Sequence, residues 1–280
     1  MPSPLSLRLR QDRLFQFGLL LVLLVVAAAI LAPFVAPHDP FSGNQGTDYL
    51  SPPGGTFLLG TDTQGRDVLS RVIYGARISL AVGIISQCVA SLLGVTLGLL
   101  AGYYGRWVDG VVMRLADITL AFPTLLLLIA VAAAVSPSLP VVFLVIGIVG
   151  WAAMARLVRG QVLVLKNAEF VQAARALGAR DRRILFRHLL PNVRAQVIVA
   201  ATLGMAGAIM AEAALSFVGL GAQPPTPSWG AMVSDGRDLL RVAPWVSFAP
   251  GIAIGLAVMG FNLVGDVLRE VYDPRLRYDR

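Results

Sequence analysis

Six long apolar runs dominate this chain, and they decide what it can become. A helix needs about 20 mostly apolar residues to cross a bilayer. The runs Leu14–Val35, Ile78–Ala101, Ile118–Val135, Leu139–Arg156, Val193–Val218 and Val246–Val267 reach that length or come within a turn of it. Charged residues make up only 14% of the chain and the mean hydropathy is +0.74, whereas soluble domains carry roughly 25% charge. The expected class is an all-α integral membrane protein with six transmembrane helices. Arg8, Arg10 and Arg13 precede the first run as they would in a signal peptide. That run outlasts the 7–15 residues of a cleavable apolar core, so a retained helix is expected.

The cationic residues give the orientation. With the N-terminus in the cytoplasm, the cytoplasmic segments hold 18 of the 23 Lys and Arg, and Arg66, Arg71, Arg77, Arg237 and Arg241 fall outside. Lys and Arg collect on the cytoplasmic side of membrane proteins, so both termini are expected inside. The net charge of +7 follows from this bias and needs no nucleic acid. The densest cluster lies between the fourth and fifth runs, at Arg175, Arg180, Arg182, Arg183, Arg187 and Arg194.

Inside the runs, Gly94, Gly98 and Gly102 recur every four residues, as do Gly251 and Gly255. Small residues at this spacing let helices approach closely in lipid, so both sets are read as packing faces. Glu212 is the one carboxylate well inside a span, with Asp117 and Asp266 near span ends. An intramembrane carboxylate marks a candidate pathway residue; the alternative is a bundle residue bonded to a neighbour. Cys88 is read as a small core side chain. One Cys and two His (His38, His188) give no credible catalytic set or His/Cys metal centre. The segment Gly60–Arg71 has the look of a calcium loop, but no Gly stands at the sixth position from Asp62, which argues against an EF-hand. The sole Lys, Lys166, follows Leu165, so the chain has no G-x-x-x-x-G-K-[ST] phosphate loop.

The arginine-rich segment carries a second pattern. Residues 168–177 hold good helix formers and no Pro or Gly. Phe170, Ala173, Ala174 and Leu177 share one face. Gly178 suits the helix C-terminus, Asp181 can cap a second helix sided by Leu185, Leu189 and Leu190, and Pro191 and Asn192 are expected to break it before the fifth span. A short helix with small side chains on its face suits a partner's groove better than a lipid surface, which favours bulky apolar groups.

The stretch "VQAARALGARDRRILFRHLLPN" resembles the EAA loop of ABC importer permeases, E-A-A, three residues, G, nine residues, I-x-L-P. Ala173, Ala174, Gly178, Leu190 and Pro191 match; Gln172 replaces the Glu and His188 the Ile. "LGTDTQGRDVLSRVIYGARISL", "DITLAFPTLLL", "LSFVGLGAQPPTPSWG" and "GDVLREVYDPRLR" resemble the dipeptide/oligopeptide/nickel branch, C-type subunit. The resemblance implies a type I ABC importer permease fold. It divides the chain into 1–58 (tail, first helix and start of an external loop), a permease domain over 59–277 with its EAA coupling loop at 157–192, and a tail at 278–280. It also implies a non-enzymatic subunit of the bacterial or archaeal cytoplasmic membrane, without cofactors of its own. A second permease, two ATPase subunits carrying ATP and Mg²⁺, and an external binding protein would complete the importer, with Gln172, Ala173, Ala174, Gly178, Leu190 and Pro191 at the ATPase contact. The substrate would be a dipeptide or oligopeptide, with nickel or another small solute as the alternative. A proton-coupled carrier is the more distant reading, and Glu212 is the one group on which it could rest.

Orientation is checked by accessibility. In a Cys88→Ser background, a Cys at position 182 should react only with a cytoplasmic reagent and one at position 235 only with an external one. The reverse pattern would overturn the six-span arrangement.

Overall fold

The computed structural model describes residues 12–135 and 138–272. Arg8, Arg10, Arg275, Arg277, Arg280 and the 278–280 tail lie outside them. The described residues form helices, with only two isolated β-bridges and no strand. In chain order they are α1 (Arg13–Val35), α2 (Val68–Tyr104), α3 (Arg106–Ala121), α4 (Thr124–Ala133), α5 (Leu139–Leu165), α6 (Glu169–Ala176), α7 (Asp181–Phe217), α8 (Trp229–Gly236) and α9 (Trp245–Tyr272). Helices α1, α2, α5, α7 and α9 are each long and apolar enough to span. Helices α3 and α4 are apolar and long enough to span only when taken together, and they are bent by 93° at the break between them.

That break corrects the expectation of one straight helix over Ile118–Val135. Pro123 disfavours helical backbone at the residue before it, and Phe122 is accordingly extended (φ −89°, ψ 142°). Helices α2, α5 and α7 also run beyond the apolar stretches by which sequence located them. Asp67 starts α2 ten residues early by accepting from the Ser70 amide and hydroxyl.

The α2–α5 contact is the most extensive between helices among the described residues. A Cβ on Gly94 would stand 2.5 Å from Met154 Cβ, one on Gly98 2.6 Å from the Ala155 carbonyl oxygen, and one on Gly102 2.7 Å from Val162 Cβ. Gly18 and Gly260 do the same for α1 against α9, where added Cβ atoms would meet Leu263 and Leu21 at 2.7 and 2.9 Å. Gly251 and Gly255 have no neighbour within 4 Å, so the small face expected there is not packed within this chain. Cys88 is exposed rather than a core residue. In the plain α-helical register it shares the outward side of α2 with exposed Ile84 and Leu92.

One end of the bundle is closed by the loop of residues 36–67 and by α8. Asp62 organises that loop: its carboxylate accepts from the Gln64 and Arg66 amides, from Arg66 Nε at 2.7 Å, and pairs with Arg71 Nε at 3.5 Å. The segment that looked like a calcium loop is thus a turn wrapped on its own arginines. Trp245 Nε1 donates to the Thr61 carbonyl, tying α9 to the loop, and Trp229 Nε1 to that of Val72, tying α8 to α2.

Gly98→Ala should force α2 and α5 apart, at a cost of about 1–3 kcal/mol, visible as a lower thermal unfolding midpoint in detergent. Gly110→Ala, which meets nothing within 4 Å, should leave the midpoint unchanged or raise it. Equal behaviour of the two variants would show that the α2–α5 contact is not tight.

Candidate functional site: a coupling loop and a cavity between the helices

The connection between α5 and α7 is short and firmly held. Lys166 Nζ donates to the Gly102 carbonyl at 2.9 Å, pinning the end of α5 to that of α2. Helix α6 follows, with Glu169 in its first turn, where a negative charge complements the helix dipole. Val171 is fully buried, in a cluster with Val158, Val162, Ile184 and Leu189. The opposite side faces outward. Phe170 and Ala173 are exposed and Leu177 is 88% exposed, with Ala174 half-buried. Sequence alone marked this outward face but missed Val171, which lies just off the stripe and is the anchor that orients it.

Gly178 ends α6. Its φ is +81°, the left-handed region that a Cβ disfavours. Its amide donates to the Arg175 carbonyl and the Ala179 amide to that of Ala174, a pairing that satisfies two terminal carbonyls of the helix. Gln172 Nε2 donates to the Asn167 carbonyl at 3.0 Å, closing the loop locally. Asp181 does not cap α7, as its sequence position had suggested. It accepts instead from the Tyr103 hydroxyl at 2.6 Å, while the Arg175 guanidinium lies 5.6 Å from the Tyr103 ring centre. The end of α2 is therefore clamped to both sides of the loop.

Pro191 does not end a helix either. Residues Ile184–Leu189 are π-helical, and the Leu190 amide reaches back five residues to the Leu185 carbonyl. This wider turn carries the chain past a residue with no N–H to give. Asn192 Nδ2 donates to the His188 carbonyl, and α7 continues to Phe217. Leu190 packs on the cluster that buries Val171. Gln172, Ala173, Ala174 and Gly178 thus stand together on α6 and its cap, while Leu190 and Pro191 lie on α7 across the shared apolar cluster.

Further into the bundle, α2, α4, α5 and α7 line a partly open cavity of 340 Å³. Ser86, Gln87, Thr124 and Gly204 line it, with small and apolar residues otherwise and no charged residue. Gln87 Nε2 donates to Ser91 Oγ at 3.1 Å, and Gln87 Oε1 lies so near Gly204 that a Cβ there would stand 2.0 Å away. Glu212 is not on this wall, although Ala208 and Ala211 are. It is fully buried and accepts from Ser216 Oγ at 2.6 Å; Ser228, whose hydroxyl caps α8, lies 3.4 Å beyond Ser216. Its second oxygen, Oε2, has no partner among the described residues. The described residues contain no grouping of His, Cys, Asp and Glu able to hold a metal.

Residues 94–278 match the family described as the binding-protein-dependent transport system inner membrane component. The chain belongs to that family. Residues 6–53 match a second family, the N-terminal transmembrane domain of oligopeptide transport permease C. Among curated relatives, the dipeptide transport system permease protein DppC of Alkalihalophilus pseudofirmus is 44% identical over 96% of this chain and 88% of its own length. The di/tripeptide transport system permease protein DppC of Pseudomonas aeruginosa is 46% identical, with 93% and 88% covered. A chain from an inward-facing structure of the MetNI methionine ABC transporter superposes with a TM-score of 0.57 over 73% of this chain and 98% of that one, at 20% identity. The fold is that of an ABC importer permease, and this permease is a multi-pass membrane transport component.

The anchoring of α6 can be read by amide exchange on the full chain in detergent. Val171→Asp buries an unpaired charge, and Gly178→Val places a β-branched residue at positive φ, which costs roughly 1–2 kcal/mol. Both should speed exchange across residues 169–179 by about tenfold or more, leaving α2 and α5 protected. Unchanged protection in both variants would show that neither residue holds the loop.

Proposed function

We propose that this chain is a transmembrane subunit of an ATP-driven importer in the bacterial cytoplasmic membrane, passing dipeptides or oligopeptides inward with both termini in the cytoplasm. It works beside a second permease. Two cytoplasmic ATPase subunits bind ATP and Mg²⁺, and an external binding protein delivers substrate. The observation that carries this reading is α6: a helix fixed to the bundle by Val171 and the Tyr103 clamp, with Phe170, Ala173 and Leu177 turned outward. A surface held rigidly from behind and unpartnered in front is what an ATPase cleft can grip. Gln172, Ala173, Ala174 and Gly178 form that contact, and Leu190 and Pro191 carry its movement into α7.

The peptide reading is supported by relatives named for dipeptides and di/tripeptides at 44–46% identity. The cavity wall agrees with it. A lining without charge, and with the amide of Gln87, tolerates varied side chains, whereas a divalent metal prefers imidazole, thiolate or carboxylate. A proton-coupled carrier is disfavoured because Glu212 is enclosed with Ser216 away from the cavity. A direct pathway role for Glu212 would require that enclosure to open.

Proteoliposomes holding both permeases, the ATPase subunits and the binding protein should take up a labelled dipeptide with ATP alone, unaffected by a protonophore, while this chain by itself should hydrolyse no ATP. Ala174→Arg should overpack the ATPase contact and uncouple hydrolysis from uptake. Gln172→Glu, which keeps shape and most hydrogen bonding, should change uptake by less than about tenfold, or roughly 1.4 kcal/mol. Uptake that follows a proton gradient, or wild-type coupling in Ala174→Arg, would overturn the reading.

A further inference from the structure

Two neighbouring features at the start of α7 lie beside the coupling helix and share Leu185 and Leu190 with the cluster that anchors it. The first is an apolar groove of 620 Å³ between α2 and α7. Leu92, Val95 and Leu99 form one wall, and Leu185, Phe186 and Leu190 the other. Leu92 is 71% exposed and Phe186 60% exposed, whereas Leu99 and Leu185 are buried, so the groove opens outward beside the first two. The second is an open pocket formed by the side chains of Arg180, Arg182, Arg183, Phe186 and Arg187. Phe186 belongs to both, so the cationic pocket continues directly into the apolar groove.

None of those four arginines forms an ion pair among the described residues, although Arg156 and Arg159 on α5 both do. Asp181 is the only carboxylate between residues 170 and 211, and one of its oxygens already accepts from Tyr103. Four unpaired guanidiniums therefore border an apolar trough. Guanidinium forks match phosphate oxygens in pairs, and the trough, apolar apart from Ser91, Thr96 and the Cys88 thiol, offers width and length for a hydrocarbon chain.

We propose that this composite surface binds one anionic phospholipid, its phosphate among Arg182, Arg183 and Arg187 and one acyl chain along Leu92, Leu99, Leu185 and Leu190. Charge complementarity at one end and hydrocarbon at the other specify an amphiphile of this kind. Basic pockets beside transmembrane helices on the cytoplasmic side are suited to such headgroups. The assignment to the inner leaflet rests on the orientation given under Proposed function; the site itself does not. The π-helical turn contributes directly, because Leu185, Phe186 and Arg187 all lie within it. The lipid would fill the angle between the end of α2 and the start of α7, next to the loop that α6 caps.

The test uses the full chain in detergent with phosphatidylglycerol carrying a diazirine midway along one acyl chain. Illumination should crosslink it to peptides containing residues 88–100 and 185–190. Unlabelled phosphatidylglycerol should compete about tenfold better than phosphatidylcholine, and glycerol phosphate without acyl chains should not compete. The triple variant Arg182→Gln, Arg183→Gln, Arg187→Gln should lose the headgroup preference but keep weak crosslinking. Leu92→Trp, which fills the groove, should lose crosslinking for both lipids. Four results would each overturn the proposal. They are crosslinks elsewhere, equal competition by the two lipids, a preference unchanged in the triple variant, and loss of groove crosslinking whenever the second permease is present, which would make the groove a protein interface. Detergent crosslinking is indifferent to orientation and to transport, so a failure of peptide uptake would leave its result standing.

Discussion

The close approach of α2 and α5 is the contact on which the rest of this permease depends. In hydrocarbon there is little hydrophobic gain in bringing helices together, so van der Waals fit must hold them. Gly94, Gly98 and Gly102 provide it by removing side chains along one stripe. The same two helices wall the cavity with Ser86, Gln87, Ala153 and Met154, and their shared end is locked by Lys166 on Gly102. The cavity and the loop between α5 and α7 therefore lie along one closely packed helix pair.

Most of the architecture was legible in the sequence because lipid imposes a simple rule on length and polarity. Five of the six apolar runs became single helices long enough to cross, the other fell on the broken pair α3–α4, and Gly178 announced a left-handed cap by its type and place. What escaped the reading depended on how the backbone absorbs a proline and on neighbours distant in the chain. Pro123 broke the third apolar run, but Pro191 did not break α7, because a π-helical turn absorbs its missing donor. The stripe of Gly94, Gly98 and Gly102 packs, while Gly251 and Gly255, equally well spaced, face outward. Spacing alone cannot distinguish a face turned to a neighbour from one turned away. Val171 was missed because eight residues of helix can present more than one plausible stripe, and only the cluster around Ile184 and Leu189 selects the buried one.

The coupling proposed for this chain needs two states that differ in contact with a partner, since ligand binding shifts an equilibrium only by its differential affinity for the states. The loop is built to convey such a difference. Val171 fixes it to α5 and α7, and Tyr103 fixes it to α2 through Asp181 and Arg175. A pull on α6 thus loads three spans together.

The π-helical turn at Ile184–Leu189 has a consequence for how such a permease can diversify. Each residue of an α-helix advances its azimuth by about 100°, and a π turn is in effect one residue accommodated without rebuilding either flank. It lies between α6, for which an ATPase contact is proposed, and the segment that lines the cavity. Gaining or losing that single residue would rotate the lining of α7 while leaving α6 and its cap in place. The cavity wall can in this way be retuned independently of the contact proposed for α6, as a gearbox is changed behind a fixed shaft.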